Sequence, residues 1–485
     1  MAVVLMRVGR IDGYRRAARS TAIGCALLAL VSPGCREPAY ENVRPQMRME
    51  GTPEPGAGMR LDGGMAPGDA TPRPSEGDSG ESAPTGGGGG RSSNGGAGNG
   101  DQGNAGESGL VGDAGVLLPQ PFTKRALLEA AAQCAVAQYS DFESNAGELV
   151  AATADLAAQP DAERLQAAQR AFLRAMASWQ RAEVFRFGPA TRTPDPGALN
   201  LRDEIYAFPL VNYCVIDRQL VSEVYASAGF ATSLASARGL SALEYLLFHA
   251  GADNACPAAT SINSDGSWAA LSAGQLAQRR ADYASAAARD VHARAQALLS
   301  AWDPDAGNFM QEFVHAGDGS SVFALDQAAL NTLSDALFYV EKEVKDYKLG
   351  TPLGLTPECA LAPAACPDAV ESRYARVSTD HVRQNLIGVR RLFQGCGAEG
   401  SGLGFDDWLE AVGSGDLAGD MLTALDGAQA AVDALDPPIE QAIVSEPAKV
   451  LTVHAAIKQF TDQLKTTFLS VLDLERPRSV ATDND

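Results

Sequence analysis

The chain has 485 residues and a formal net charge of −21, with 39 Lys and Arg against 60 Asp and Glu. Such an acidic chain without an evident basic patch argues against nucleic acid as a partner. The length allows two or three domains, although a long N-terminal part does not have the composition of a folded domain.

The first 35 residues have the composition of an export signal. Three arginines precede an apolar run from about Thr21 to Val31, which is too short to serve as a membrane-spanning helix in the mature protein. Gly34-Cys35 resembles the end of a bacterial lipoprotein signal. We therefore predict a signal peptide over residues 1–35 and lipid attachment at Cys35, with plain secretion as the alternative. The lipid would attach the chain to a membrane, which would be its partner. This places the chain in the cell envelope, in the periplasm or at the outer membrane.

A low-complexity linker is expected to follow the signal. Residues 36–118 are rich in Gly, Pro and Ser and contain few large apolar residues. Such a segment buries too little apolar surface to offset the entropy cost of ordering. We predict a disordered tether over 36–118, a helical domain over 119–476 and a disordered tail over 477–485.

The cysteines after the signal are even in number, which favours disulfides in an exported chain. No Cys-x-x-Cys pair is present among them, so structural bridges are favoured over metal binding. The pairing stays open, although Cys359 and Cys366 lie close enough for a local bridge. The candidates are Cys134, Cys214, Cys256, Cys359, Cys366 and Cys396.

Helical periodicity runs from about residue 120 to 474, and no stretch alternates as a strand would, so the fold class is all-α. Ser272 is the predicted cap of one long helix. The turn-rich loop at 254–267 is the predicted boundary between two halves, 119–265 and 266–476. The first predicted helix is 123–156, as one long helix or a broken pair, and the second starts at 160–161 and ends at 188–189. The others are 211–227, 239–248, 272–302, 326–347, 378–395, 416–435 and 447–472, with short helical turns at 406–412.

The predicted helix at 239–248 contains one carboxylate, Glu244, among leucines and aromatic residues. Burying an ionised carboxylate is costly, so we expect Glu244 to be neutral, hydrogen-bonded, paired with a cation or bound to a metal. Ser241 and Tyr245 lie on neighbouring ridges of the same helix.

This helix resembles the signature of the imelysin-like family, Gly-x-His-x-x-Glu followed by aromatic and apolar residues. Gly239, Glu244 and Tyr245 match, whereas Ser241 stands where the family has His. Four other segments resemble the family more weakly. In chain order they are 179–189, 341–354, 370–374 and 378–395. The resemblance implies an all-helical fold of two bundle-like halves, a place in the bacterial envelope and a link with iron uptake. Some members of the family were described as peptidases.

Carboxylates from other helices could join Glu244 as ligands of iron or another divalent metal, because helix bundles often gather such ligands from facing helices. The candidates are Glu183, Asp203 and Glu371. The alternatives are structural: a Ser241–Glu244 hydrogen bond that fixes helix packing, and ion pairs of Glu183 and Asp203 with Arg181 and Arg202. We expect His381, near a helix start, to have a surface or capping role.

Three functions follow from these patterns and the resemblance. The first is an exported, lipid-anchored envelope protein that binds a metal or small ligand in iron uptake, with iron-transport components as partners. The second is an envelope metallopeptidase, although none of the five histidines belongs to a His-Glu-x-x-His motif. The third is a helical interaction scaffold with a degenerate site, which Ser241 favours.

Overall fold

Every regular element in the described part of the chain is a helix, which confirms the predicted all-α fold. The computed structural model describes residues 122–397 and 400–480. The predicted signal peptide, Cys35 and the tether lie outside these residues.

The helices are named in chain order. The first eight are α1 (Lys124–Ala158), α2 (Ala162–Ala182), α3 (Leu201–Ile205), α4 (Tyr213–Ser222), α5 (Gly239–Phe248), α6 (Ser261–Ser264), α7 (Ala273–Trp302) and α8 (Phe309–Val314). Those after them are α9 (Asp326–Leu337), α10 (Thr351–Leu353), α11 (Ser378–Gln394), α12 (Phe405–Ala411), α13 (Gly415–Asp433), α14 (Ile439–Ser445), α15 (Pro447–Gln463) and α16 (Leu469–Leu472). Two π-helical segments, Val340–Gly350 and Leu464–Phe468, interrupt the second group.

Side-chain caps fix the starts of the three longest helices. Thr123 accepts a hydrogen bond from the backbone N–H of Ala126 at the start of α1, and Asp161 accepts one from Arg164 at the start of α2. Ser272 and Gln275 form a reciprocal capping box at the start of α7, as the sequence predicted for Ser272. These caps satisfy N–H groups that a helix N-terminus leaves without intrahelical partners.

Several predicted helices differ in extent from the structure. The second, expected to end at 188–189, ends at Ala182, and the one expected at 447–472 is divided by the π-helix Leu464–Phe468. The helix expected at 211–227 ends at Ser222, because Glu223 has a φ of 55° and cannot continue a right-handed helix. The helix expected at 326–347 is α-helical only to Leu337 and continues as the π-helix Val340–Gly350. The wider winding of a π-helix changes which side chains face the interior, and π-helical turns are frequent at functional sites.

The core forms where α1 packs against α2 and α7. Helix α5 packs on α7, α11 packs on α2, and α13 packs on α15. Gly388 allows the close contact of α11 with α2, since a Cβ at this position would lie 2.7 Å from the Arg181 carbonyl oxygen. Helix α1 belongs to the predicted half 119–265 and α7 to the half 266–476, yet the two helices pack directly on each other. This contact does not separate the halves, and their division stays a prediction.

Three disulfides join the six predicted cysteines in the pairs Cys134–Cys396, Cys214–Cys256 and Cys359–Cys366. The last is the local bridge that the sequence indicated.

Near the C-terminus, Arg478–Val480 form a short 3-10 turn in which Val480 is buried. The disordered tail over 477–485 stays a prediction. No helix among the described residues combines the length and apolar character needed to cross a bilayer.

Candidate functional site

Buried polar side chains gather where α2, α3, the π-helix and α11 meet. Gln180 lies near the C-terminal end of α2 and Glu183 caps that end, while the π-helix Val340–Gly350 supplies the lysine at the centre of the group. Five of these residues form what we call the Lys348 cluster: Gln180, Glu183, Lys348, Glu371 and Asn385.

The ammonium group of Lys348 is the centre of this cluster. Its Nζ lies 2.5 Å from Gln180 Oε1, 2.8 Å from Asn385 Oδ1, 2.9 Å from Glu371 Oε1 and 3.1 Å from Glu183 Oε1. Only 1% of the Lys348 side chain is exposed, so these contacts replace its hydration. A buried ammonium ion is tolerated only with such partners.

Glu371 is ionised because its neighbours outweigh its burial. Burial disfavours the charged carboxylate, but Lys348 and His381 hold the pKa of Glu371 well below its usual range. Tyr206 donates a hydrogen bond of 2.6 Å to Glu371 Oε1, and Gln180 donates another of 3.0 Å. Glu371 therefore acts as the counter-ion of Lys348.

Glu183 joins the cluster to Arg202 on α3. Arg202 Nη2 lies 3.1 Å from Glu183 Oε2, and the Tyr339 hydroxyl donates a 2.5 Å hydrogen bond to Glu183 Oε1. Arg202 Nη1 also contacts Asp203 Oδ1 at 3.1 Å. Despite partial burial, Arg192 and Arg202 lower the pKa of Asp203. The predicted pairing of Glu183 and Asp203 with Arg202 is thus present, whereas Arg181 pairs with Asp141.

Glu244, the carboxylate of α5, is buried and bound by backbone rather than by side-chain cations. Its Oε1 accepts hydrogen bonds of 3.0 Å from the backbone N–H groups of Tyr374 and Ala375. Burial raises the pKa of Glu244 to about 7, against the opposing effects of these N–H groups, His381 and Ser372. Ser241 Oγ is buried without a hydrogen-bond partner, so the alternative of a Ser241–Glu244 bond is wrong.

His381 faces Glu371 and acts to lower the pKa of both Glu244 and Glu371. Its Nδ1 is 3.1 Å from Glu371 Oε2, but neither ring nitrogen makes a hydrogen bond of acceptable geometry. The side chain is almost fully buried. The expectation of a surface or capping role is therefore wrong, because the first turn of α11 faces the interior at this residue.

The predicted metal ligands do not converge on one point. Glu183 and Glu371 come together through Lys348, whose ammonium group takes the position that a metal ion would need between them. Glu244 is held by the backbone N–H groups of Tyr374 and Ala375, and Asp203 faces Arg192 and Arg202. Among the residues that the structure describes, no group of three or more His, Cys, Asp or Glu side chains is arranged to hold a metal ion. The arrangement does not fit a metal ion between Glu183 and Glu371, because the Lys348 ammonium group lies there. Metal binding by the four predicted carboxylates as a group stays a prediction.

Sequence reasoning missed Lys348, although a signal was present. The apolar stripe at Leu337, Val340 and Val344 reaches Lys348 at the next four-residue step. An inward-facing lysine requires an acidic partner, which would have directed attention to Glu183 and Glu371. Nothing local in the sequence indicates the roles of Tyr206, Tyr339 or Asn385, which depend on helix packing.

The matches with known proteins agree with this fold. The chain is 26% identical over 344 residues to iron-regulated protein A of Synechococcus elongatus, an alignment that covers 70% of this chain and 84% of the relative. Two solved structures share the fold. Each alignment covers 73% of this chain and 96% of the solved chain. One, from Parabacteroides distasonis, is named as an iron-regulated protein A precursor and has a TM-score of 0.55 at 16% identity. The other, an imelysin-like protein from Psychrobacter arcticum, has a TM-score of 0.51 at 18% identity.

The family model described as Imelysin matches residues 135–467, which is more than half of the chain. This range contains α5 with Glu244 and all five residues of the Lys348 cluster. The chain belongs to the imelysin family.

Proposed function

We propose that this chain is an exported, lipid-anchored protein of the bacterial envelope that binds a ligand in iron acquisition. The observation that carries the proposal is the match over 344 residues to a relative named iron-regulated protein A. Family membership supports the same role. The chain would act as a binding protein that passes its ligand to transport components, without chemical change of the ligand.

The contacts of Lys348 favour a small ligand over a bare metal ion. A metal between Glu183 and Glu371 would have to displace the ammonium group and leave it buried without these two counter-ions. Such a displacement costs several kcal/mol, in the range of about 3 to 5 for breaking a buried ion pair. Iron carried by a chelator would avoid this cost.

Growth under iron limitation tests the role in iron acquisition. We expect a deletion strain to grow poorly when iron is chelated in the medium and to recover with the wild-type gene. Restoration by added iron salts would connect the defect with iron. Normal growth of the deletion strain under limitation, in the absence of a second homologous gene, would contradict the proposal.

Cell fractionation of a Cys35→Ser variant tests the anchor. We expect the wild-type protein in the membrane fraction and the variant in the soluble fraction or uncleaved, because Cys35 is the proposed lipid attachment site. A Cys25→Ser variant is the matched control, since Cys25 lies inside the apolar run and should leave the anchor intact. Equal membrane retention of processed Cys35→Ser protein would show that the anchor is elsewhere or absent.

A further inference from the structure

A cavity of about 400 Å³ lies beside the Lys348 cluster, at Arg202. This volume is within the range of about 300 to 1,000 Å³ that is usual for small-molecule sites. Arg202 lines the cavity and also pairs with Glu183, so it joins the cavity to the buried cluster. Its side chain is 5% exposed. The site is therefore built on a buried charged group that packing holds in place.

The charged lining of this cavity contrasts with the rest of the chain. The whole chain has a net charge of −21, whereas four cations and three carboxylates line the cavity. The cations come from the segment after α2, the following loop, α3 and the π-helix. They are Arg186, Arg192, Arg202 and Lys342, and the carboxylates are Asp195, Asp203 and Glu343.

The arginines of the cavity have more hydrogen-bond donors than the protein supplies acceptors. Arg202 uses its two Nη atoms on Glu183, Asp203 and the Phe208 carbonyl, while its Nε is buried without a partner. Arg186 pairs with Glu343 through Nη1 at 2.5 Å. A guanidinium group carries five N–H donors and no acceptor, so donors that the protein leaves over can bind a ligand with lone pairs in place of water. Its planar geometry matches carboxylate and phosphate oxygens.

Apolar side chains line the same cavity and favour an organic anion over an inorganic one. Phe208 and Tyr347 contribute aromatic surface, and Leu210 contributes an aliphatic side chain. Leu210 is 66% exposed, so its apolar surface is accessible to a ligand that enters from solvent. Inorganic phosphate would gain nothing from these groups, whereas a carbon skeleton would bury them.

We infer that the cavity at Arg202 binds a small organic polycarboxylate through Arg186, Arg192 and Arg202. The carboxylate oxygens accept hydrogen bonds from the guanidinium groups, and the carbon skeleton contacts Phe208 and Leu210. Binding of such an anion is independent of iron. Its use as an iron chelator rests on the proposed function.

Isothermal titration of the full-length protein with citrate, in the absence of iron, tests this inference. We expect citrate to bind one site with a Kd below about 1 mM and inorganic phosphate to bind at least about tenfold more weakly. The double variant Arg186→Gln/Arg192→Gln should weaken citrate binding at least about tenfold, because it removes two charge-assisted contacts. Arg174→Gln is the matched control, since Arg174 is an exposed arginine of α2 paired with Glu148 and does not line the cavity.

The result that overturns the inference is an absence of citrate binding, or equal citrate affinity in the wild type, the double variant and Arg174→Gln. Phosphate binding as tight as citrate binding would also overturn it, since the site would then recognise an inorganic oxyanion. If the double variant does not fold, Arg192→Gln alone replaces it, because its side chain is 64% exposed. Citrate binding in a protein whose deletion leaves iron acquisition unchanged would uphold this site and refute the proposed function.

Discussion

The buried carboxyl group of Glu244 gives the most quantitative prediction. Burial raises its pKa from 4.5 to about 7. In the unfolded chain the group ionises near its ordinary pKa, so the unfolded state loses its proton at a lower pH than the folded state does. The neutral carboxyl group of Glu244 therefore contributes to the free energy of unfolding, and this contribution is fully present below the pKa of the unfolded state. It is lost as the pH rises through the pKa of the folded state.

The size of the effect follows from the shift in pKa. Each pKa unit corresponds to about 1.4 kcal/mol, so the full loss is about 3 kcal/mol, of which about 2 to 3 kcal/mol falls between pH 5 and pH 8. Glu244→Gln removes the titration and keeps an oxygen that accepts the hydrogen bonds from Tyr374 and Ala375. The free energy of unfolding of the variant, relative to wild type, should therefore increase by this amount between the two pH values.

Denaturant unfolding of both proteins at a series of pH values provides the measurement. Glu163→Gln is the matched control, because Glu163 is an exposed residue in the first turn of α2. Its difference from wild type should stay constant over the same range. A constant difference for Glu244→Gln would refute the reasoning, since it would mean that Glu244 has the same charge in the folded and unfolded states across this range.

Further predictions concern the parts of the fold that hold the site. Lys348→Met should lower the free energy of unfolding by about 3 to 5 kcal/mol, because it leaves buried carboxylates without their cation; a loss below about 1 kcal/mol in chemical unfolding would contradict the assigned ion pairs. The variant Cys134→Ala/Cys396→Ala should lose about 5 kcal/mol, since the bridge closes a loop with a sequence separation of 262. An unchanged thermal midpoint would argue against this bridge. Gly239→Ala should cost about 1 to 3 kcal/mol, since Gly239 has a φ of +79° and a Cβ would lie 2.6 Å from the Ile205 carbonyl oxygen; wild-type stability of this variant would contradict that geometry.

The sequence was sufficient for the longer helices and for the burial of Glu244, because both depend on local periodicity. Apolar spacing located α5 and α7 within a few residues, Ser272 was recognised as a cap, and the start of α2 was placed correctly although its end was placed too late. A lone carboxylate in an apolar helix implied an unusual environment, and its raised pKa agrees with that expectation.

The partners of the buried charges were beyond the sequence patterns, because they depend on contacts between distant segments. Lys348 bonds to Gln180, a residue 168 positions away, and Asn385 reaches the same glutamine over 205 positions. The carboxylates Glu183 and Glu371 were grouped as metal ligands from their charge alone, which does not reveal that a lysine lies between them. His381 was also assigned to the surface, since the start of a helix is often exposed and the side that faces the core is set by packing.

Uptake of radiolabelled iron by intact cells tests the central proposal most directly. The deletion strain is compared with the same strain carrying the wild-type gene, and zinc uptake is the control for general damage to the envelope. We expect the deletion to reduce the initial rate of iron uptake, the gene to restore it, and zinc uptake to stay unchanged. Equal rates of iron uptake with and without the chain would contradict a role in iron acquisition.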